Sequence, residues 1–420
     1  MLRFFLLGLL LLASAASASA YSVLTHQANI DSTWQRCLLP TLQRRFPGGT
    51  SAELQDAKAY AYGGAIIQDM GFYPFGSKLF TNLTHYVRSG DFVQHLLEEA
   101  HDRNEYAFAL GALAHYAADI SGHPEGTNKA MPSVYPELQA RFGNVITYEE
   151  APAQHTQLEF AFDVVQVAAG RYRSDDYHNY IGFKVSKEVL ERGFEKTYGL
   201  KLGQVIANVD LSISSYRFAV KELIPLATRA AWQSKRDDIK KLSPKARRRD
   251  YVYHLSQRQY RKEFGGSYQR PGLGARLLSG IVRLLPKIGP LKPFAFVLPT
   301  PEAQTLFRNS FRVVISKYCG LLEKQGPGPV VALPNTDFDT GHQTKAGEYA
   351  LADETYGEWL RKLDDKKFEG LTTPQKQHLL TFFAVAAAPN QAAKEENEAS
   401  TQRKTQEVLA HLKAAVTAAE

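Results

Sequence analysis

The run Ala112-Leu113-Ala114-His115-Tyr116-Ala117-Ala118-Asp119-Ile120-Ser121-Gly122-His123 constrains this chain more than any other feature. Its alanines and leucine are strong helix formers. Residues four apart on a helix share a face, so His115 and Asp119 point the same way and His123 follows one turn later. Imidazole and carboxylate are the nitrogen and oxygen donors that zinc accepts. The run therefore reads as a helix carrying metal ligands.

Further donors flank it in order. Asp69 closes Gly63-Gly64-Ala65-Ile66-Ile67-Gln68-Asp69, and His85 lies in Leu83-Thr84-His85-Tyr86. Downstream, His155 and Glu159 are again four apart. Residues 1–20 have the pattern of a secretory leader, with Arg3, an apolar run from Phe4 to Ala13, and the small-residue site Ala18-Ser19-Ala20. Cleavage after Ala20 would make Tyr21 the N-terminus, whose amine and carbonyl can chelate a metal together with His26. His95 and His101 fall in a charged helix, and His178, His254, His342, His378 and His411 have no partner at ligand spacing. Those seven are read as structural or solvated.

Helical spacing of apolar residues recurs over Ile30–Phe46, Ala52–Asp69, Asp91–Leu97, Glu105–Ser121, Thr156–Ala169, Ser186–Thr197, Leu202–Ser234 and Pro301–Leu322. Strand-like alternation is scarce, so the fold class expected is all-α, a multi-helix bundle with an extra C-terminal helical segment. The loop from Gly71 to Gly76 directly follows Asp69 and is expected to wall the active cleft. The divisions expected are a leader at 1–20, a helical domain at 21–325 with its metal core at 21–165, a linker loop at 326–350, and a tail at 351–420. The tail reads as a helix from Asp353 to Ala388, followed by a solvated helix or disordered stretch.

The ordered set resembles the zinc-dependent phospholipases C, relatives of the fungal zinc-dependent single-strand nucleases. The resemblance spans Tyr21 to Glu159 and fades after about Ala230. It implies a three-zinc cluster in an all-helical fold. Asp69, His85, His115 and Asp119 would hold the first zinc, and His123, His155 and Glu159 the second. The backbone of Tyr21, with His26 and a bridging Asp119, would hold the third. Tyr21 stands where the family usually has Trp, but the ligand atoms there belong to the backbone. The step from Asp119 to His123 is shorter than in the best-known members, and that from His123 to His155 is longer.

Composition narrows the remaining choices. Once the leader is removed, 400 of 420 residues remain, ample for a full core. No second apolar run approaches the roughly 20 residues of a membrane span. The two cysteines, Cys37 and Cys319, could pair in an oxidising compartment or remain buried thiols. The formal charge of +7 falls to +6 without Arg3. Basic residues crowd 235–270, interleaved with Tyr251, Tyr253, Tyr260 and Tyr268. Such a segment fits a solvated face, a nucleic-acid strand or an anionic bilayer. Leu273 to Leu298 mixes apolar pairs with cations and reads as core or as a peripheral membrane contact.

The expected function is a secreted or periplasmic phosphodiester hydrolase. By the resemblance it is a phospholipase C releasing diacylglycerol and a phosphorylated head group, with Asp69 positioning or deprotonating the attacking water. Glu159 and the setting of His115 match that branch. A single-strand nuclease or nucleotidase is the alternative, and only there is nucleic acid a partner. A non-catalytic protein folded around zinc is a second alternative, though three candidate ligands at the second site leave room for water or substrate. No protein partner is called for.

Overall fold

The computed structural model describes residues 22–172, 183–220, 232, 235–247, 296–326, 328–386 and 396–417. The leader, Tyr21, residues 248–270 of the basic segment and residues 273–295 of the apolar stretch lie outside the described residues. Among the described residues the fold is all-α. Strand-like pairing there is confined to an isolated antiparallel bridge between Thr336 and Gln343.

The helices run in chain order as α1 Val23–Thr33, α2 Leu39–Arg45, α3 Ser51–Gly64, α4 Lys78–Tyr86, α5 Ser89–Glu98, α6 Arg103–Gly122, α7 Asn128–Val134 and α8 Pro136–Phe142. They continue as α9 Pro152–Ala168, α10 Lys187–Tyr198, α11 Val209–Phe218, α12 Pro301–Lys324, α13 Ala350–Asp364, α14 Thr373–Ala386 and α15 Glu396–Thr417. Local chemistry sets their starts. The Asp102 side chain accepts from the Asn104 and Glu105 amides at the head of α6, Thr50 and Glu53 form a capping box on α3, and Thr300 with Pro301 opens α12.

Helix α6 is the axis of the molecule, buried from Glu105 to Gly122. An all-round apolar sequence of this kind belongs inside a bundle. It crosses α3 with the backbones almost touching. A Cβ on Gly111 would lie 2.1 Å from the Ala61 carbonyl oxygen, and one on Gly64 1.9 Å from that of Phe108. This contact draws the end of α3, and the segment after it, up to the polar face of α6. On another side α12 packs on α6, where the Tyr318 hydroxyl donates to the Leu110 carbonyl at 2.8 Å. Cys37 and Cys319 form a disulfide, which resolves the alternative left by the sequence. Closing a loop of 282 residues stabilises the fold by about 5.6 kcal/mol in the chain-entropy account.

Several expected helices are interrupted. Ile30–Phe46 divides at a π turn, Trp34–Leu38, that carries Cys37. Ala52–Asp69 ends at Gly64, and Asp69 sits in a separate 3₁₀ turn, Ile67–Phe72. Glycines at 63 and 64 remove helix propensity there while permitting the close crossing. Leu202–Ser234 is not continuous, because the Asn208 side chain caps a new helix at Val209. The tail helix splits into α13 and α14, and α15 follows with Val408, Leu409 and Leu412 buried. No helix of the described residues is long and apolar enough to cross a membrane.

If the α3–α6 crossing holds the bundle, Gly111→Ala forces a Cβ into backbone. Its cost is expected at about 1–3 kcal/mol, read as a lower urea midpoint with an unchanged slope. A midpoint equal to that of the parent protein would contradict the close approach.

Candidate metal centre

The N-terminal half of the bundle gathers the donors at its centre. His115 and Asp119 project from α6 as the i, i+4 spacing requires, both fully buried. The His115 Nδ1 lies 2.9 Å from the carbonyl oxygen of Ala65, just past the end of α3. On α4, His85 Nδ1 lies 2.8 Å from the Thr81 carbonyl oxygen. A carbonyl can only accept, so both Nδ1 atoms carry hydrogen and the Nε2 atoms are the ones left to bind a metal.

Those two Nε2 atoms are 3.4 Å apart. His85 Nε2 is 3.3 Å from Asp69 Oδ1 and 3.6 Å from Asp119 Oδ2. His115 Nε2 is 3.1 Å from Asp119 Oδ2 and 4.0 Å from Asp69 Oδ1. Ligands about 2.0–2.1 Å from a tetrahedral zinc are separated by about 3.3 Å. His85, His115 and Asp119 therefore stand at the spacing of ligands around one ion, while Asp69 gathers with His115 and His26 as well as beside His85. Asp69 Oδ1 and both oxygens of Asp119 are buried without a hydrogen-bond partner. Buried carboxylate oxygens are rarely left so, and lone pairs converging on one point fit a cation.

Asp119 also faces the other way. Its Oδ1 is 3.6 Å from His26 Nε2, and the His26 ring stacks on His115 with centroids 4.4 Å apart. Helix α1 is held in register by Asp163 of α9, which accepts from the Leu24 amide at 3.0 Å and the Thr25 hydroxyl at 2.7 Å. A bridging Asp119 with His26 could hold another ion, and the His26 ligand atom also gathers with those of Asp69 and His115. The Tyr21 part of that expectation lies outside the described residues.

The third gathering lies where α6 ends. Pro124 has no amide hydrogen, and the chain passes through a π turn, His123–Thr127, into α7. There His123 meets His155 of α9, with ring centroids 4.9 Å apart. His155 Nδ1 is 2.8 Å from Glu159 Oε1, yet neither that nitrogen nor either Glu159 oxygen makes a hydrogen bond. His123 Nε2 is likewise buried without a partner. The fold thus brings all the described candidates, His26, Asp69, His85, His115, Asp119, His123, His155 and Glu159, into one buried region.

One carboxylate at this site was not expected. Asp339, far along the chain, lies 2.6 Å from His123 Nδ1 and 3.9 Å from His155 Nε2. Residues 326–350, read from sequence as a linker loop, also bring Phe338 against His85 and His115, with centroids 5.0 and 6.0 Å apart. Neither residue has a donor at ligand spacing, so periodicity carries no signal for them. The doublet Asp337 and Asp339 in a turn-rich stretch was the available hint.

Electrostatics follow from burial opposed by proximity. Burial and the neighbouring His115 depress His26 to about 4. Burial and His123 depress His155 to about 3. Burial also pulls on His115, but Asp119 and Asp69 carry it up to about 9. Burial would raise Asp119, yet His115 and His26 hold it well below its ordinary value. Glu159 is pushed far up by burial and then by Asp119 and Asp69. Burial opposes ionisation of Asp339 also, but the His123 hydrogen bond holds it down at about 2.

A metal ligand must shed its proton. With His115 held near 9, zinc loading at pH 7 is expected to release at least one proton. Apparent zinc affinity should rise with pH and level off above about 9. Calorimetric titrations in buffers of different ionisation enthalpy count the protons, and loading with no proton release would contradict this electrostatic picture.

Residues 25–207 match the family model described as zinc dependent phospholipase C. No curated protein and no solved structure matches the chain.

Proposed function

We infer the reaction from one premise: through its matched segment the chain belongs to the zinc-dependent phospholipase C family, whose activity is hydrolytic. We propose that it cleaves a glycerophospholipid to diacylglycerol and a phosphorylated head group. The observation that carries this reading is that Asp69, Asp119, His123, His155 and Glu159 all bury ligand atoms without a hydrogen-bond partner, in a core where His26, Asp69 and His115, where His85, His115 and Asp119, and where His123, His155 and Asp339 lie close enough to share an ion. Asp69, His85, His115 and Asp119 are proposed as ligands of one zinc, and His123, His155 and Glu159 of a second. His26, Asp119 and the Tyr21 backbone are proposed for a third.

Zinc at such sites supplies positive charge for the phosphate oxygens and lowers the pKa of water. This chain's own groups do the rest. Asp69 is proposed to orient the attacking water and accept its proton, as the water oxygen bonds to phosphorus and the bond from phosphorus to the glycerol oxygen breaks. The departing alkoxide takes up a proton to become the diacylglycerol hydroxyl. His85 and His115, each held by a backbone carbonyl, keep their rings fixed and have no proton to move once their Nε2 atoms face a metal.

Export is also proposed. The leader pattern of residues 1–20 supports it, and so does the Cys37–Cys319 disulfide, since such bonds persist in oxidising compartments.

The reading is tested by hydrolysis of phosphatidylcholine and of single-stranded DNA by the protein beginning at Tyr21. Phosphocholine release, lost with chelator and restored by zinc, is the expected result. Asp69→Asn should lower kcat by about 10²–10⁴-fold. Cleavage of DNA alone would move the chain to nuclease chemistry, and unchanged turnover in the Asp69 variant would remove that residue from its role.

A further inference from the structure

Asp339 reaches the metal centre from the segment between α12 and α13, well past the residues that match the family. Its position is fixed by its own loop. The Asp337 carboxylate accepts from the Asp339 amide at 3.0 Å and the Thr340 amide at 2.7 Å. Gly341 has φ +73°, and a Cβ there would stand 2.6 Å from the Ile120 carbonyl oxygen of α6. Only glycine combines that backbone conformation with so close an approach. The Ser89 hydroxyl donates to the Thr336 carbonyl at 2.5 Å, so the loop is tied to the head of α5 as well.

The Asp339 carboxylate is saturated with donors. Oδ1 accepts from His123 Nδ1 at 2.6 Å and from Asn128 Nδ2 at 3.1 Å. Oδ2 accepts from the Tyr148 amide and the Tyr349 hydroxyl, both at 2.8 Å. Four donors occupy the lone pairs of both oxygens. With its lone pairs so occupied, Asp339 acts as a hydrogen-bond acceptor for His123 rather than as a joint ligand with it.

The consequence lies on the far side of each ring. With its hydrogen on Nδ1, His123 presents a lone pair at Nε2, which is buried and makes no hydrogen bond. Asn128 extends the effect. Its Nδ2 gives to the Asp339 carbonyl at 2.9 Å and to Asp339 Oδ1, which sets the amide so that Oδ1 faces His155 Nε2 at 2.7 Å. That contact places the His155 hydrogen on Nε2 and leaves Nδ1 beside Glu159.

We propose that Asp339 is a positioning residue that fixes the tautomers of His123 directly and of His155 through Asn128. It thereby aims His123 Nε2 and His155 Nδ1, with Glu159, at one zinc. The C-terminal third of the chain is then part of the metal site. This rests on reading His123, His155 and Glu159 as zinc ligands. A carboxylate behind a ligating imidazole orients the ring and raises its basicity, and its removal typically lowers metal affinity by about 10–100-fold.

The first test needs no Asp339 variant. In zinc-loaded parent protein labelled with ¹⁵N-histidine, the His123 ring, assigned by comparison with His123→Gln, should show a protonated Nδ1 and a metal-bonded Nε2. Metal at Nδ1 would overturn the proposal while leaving zinc binding intact. A parent protein that binds no zinc would instead defeat the ligand reading, and the proposal with it. The second test is chelator competition and metal analysis on Asp339→Asn and Asp339→Ala, each checked for its helical signal. One zinc equivalent should weaken by about 10–100-fold, less in the Asn variant, which retains an acceptor, while the remaining zinc stays tight. Parent affinity at every site in a folded variant would contradict the role.

Discussion

Imidazole nitrogens and carboxylate oxygens face one another inside this bundle, several of them buried without a hydrogen-bond partner, and the rest of the structure answers to that arrangement. Taking an ion out of water costs several kcal/mol, and a buried acceptor left unmade is costly as well. Asp119 and Glu159 are buried with all four carboxylate oxygens lacking a hydrogen-bond partner. Protons relieve this only in part, as the opposed pulls on His115 and Asp119 indicate. A divalent cation held by these groups would offset the cost directly. On this account the core is a cage whose stability and metal content are linked.

The helices supply what the cage requires. Alanine and glycine along α6 let α3 approach backbone to backbone, which delivers the Ala65 carbonyl to His115 and Asp69 to His85. Proline after His123 turns α6 through a π turn, so His123 meets His155 and Asp339 rather than crowding His115 and Asp119. The apparent irregularities of the chain sit at these positions, as is common where function competes with regular structure.

Much of the centre was legible because helical periodicity is local. The pairs His115 with Asp119, and His155 with Glu159, follow from a spacing of four, and the all-helical class from the same periodicity. Breaks were less legible. Gly63-Gly64 ends α3 before Asp69, and Asn208 starts a new helix inside what reads as one long segment, because propensity and capping compete with the apolar pattern. Asp339 and Phe338 were hidden for another reason. They act through a tertiary contact across more than two hundred residues, which the doublet Asp337 and Asp339 hints at but local periodicity does not mark. The pairing of Cys37 with Cys319 is of the same kind.

The most direct test of the central claim is anomalous diffraction above and below the zinc absorption edge, from crystals of the protein beginning at Tyr21 grown with zinc. One peak is expected among Asp69, His85, His115 and Asp119, another among His123, His155 and Glu159, and a third beside His26 and the Tyr21 backbone. A cluster that remains without zinc density, or density bound by Asp339 in place of Glu159, would contradict it.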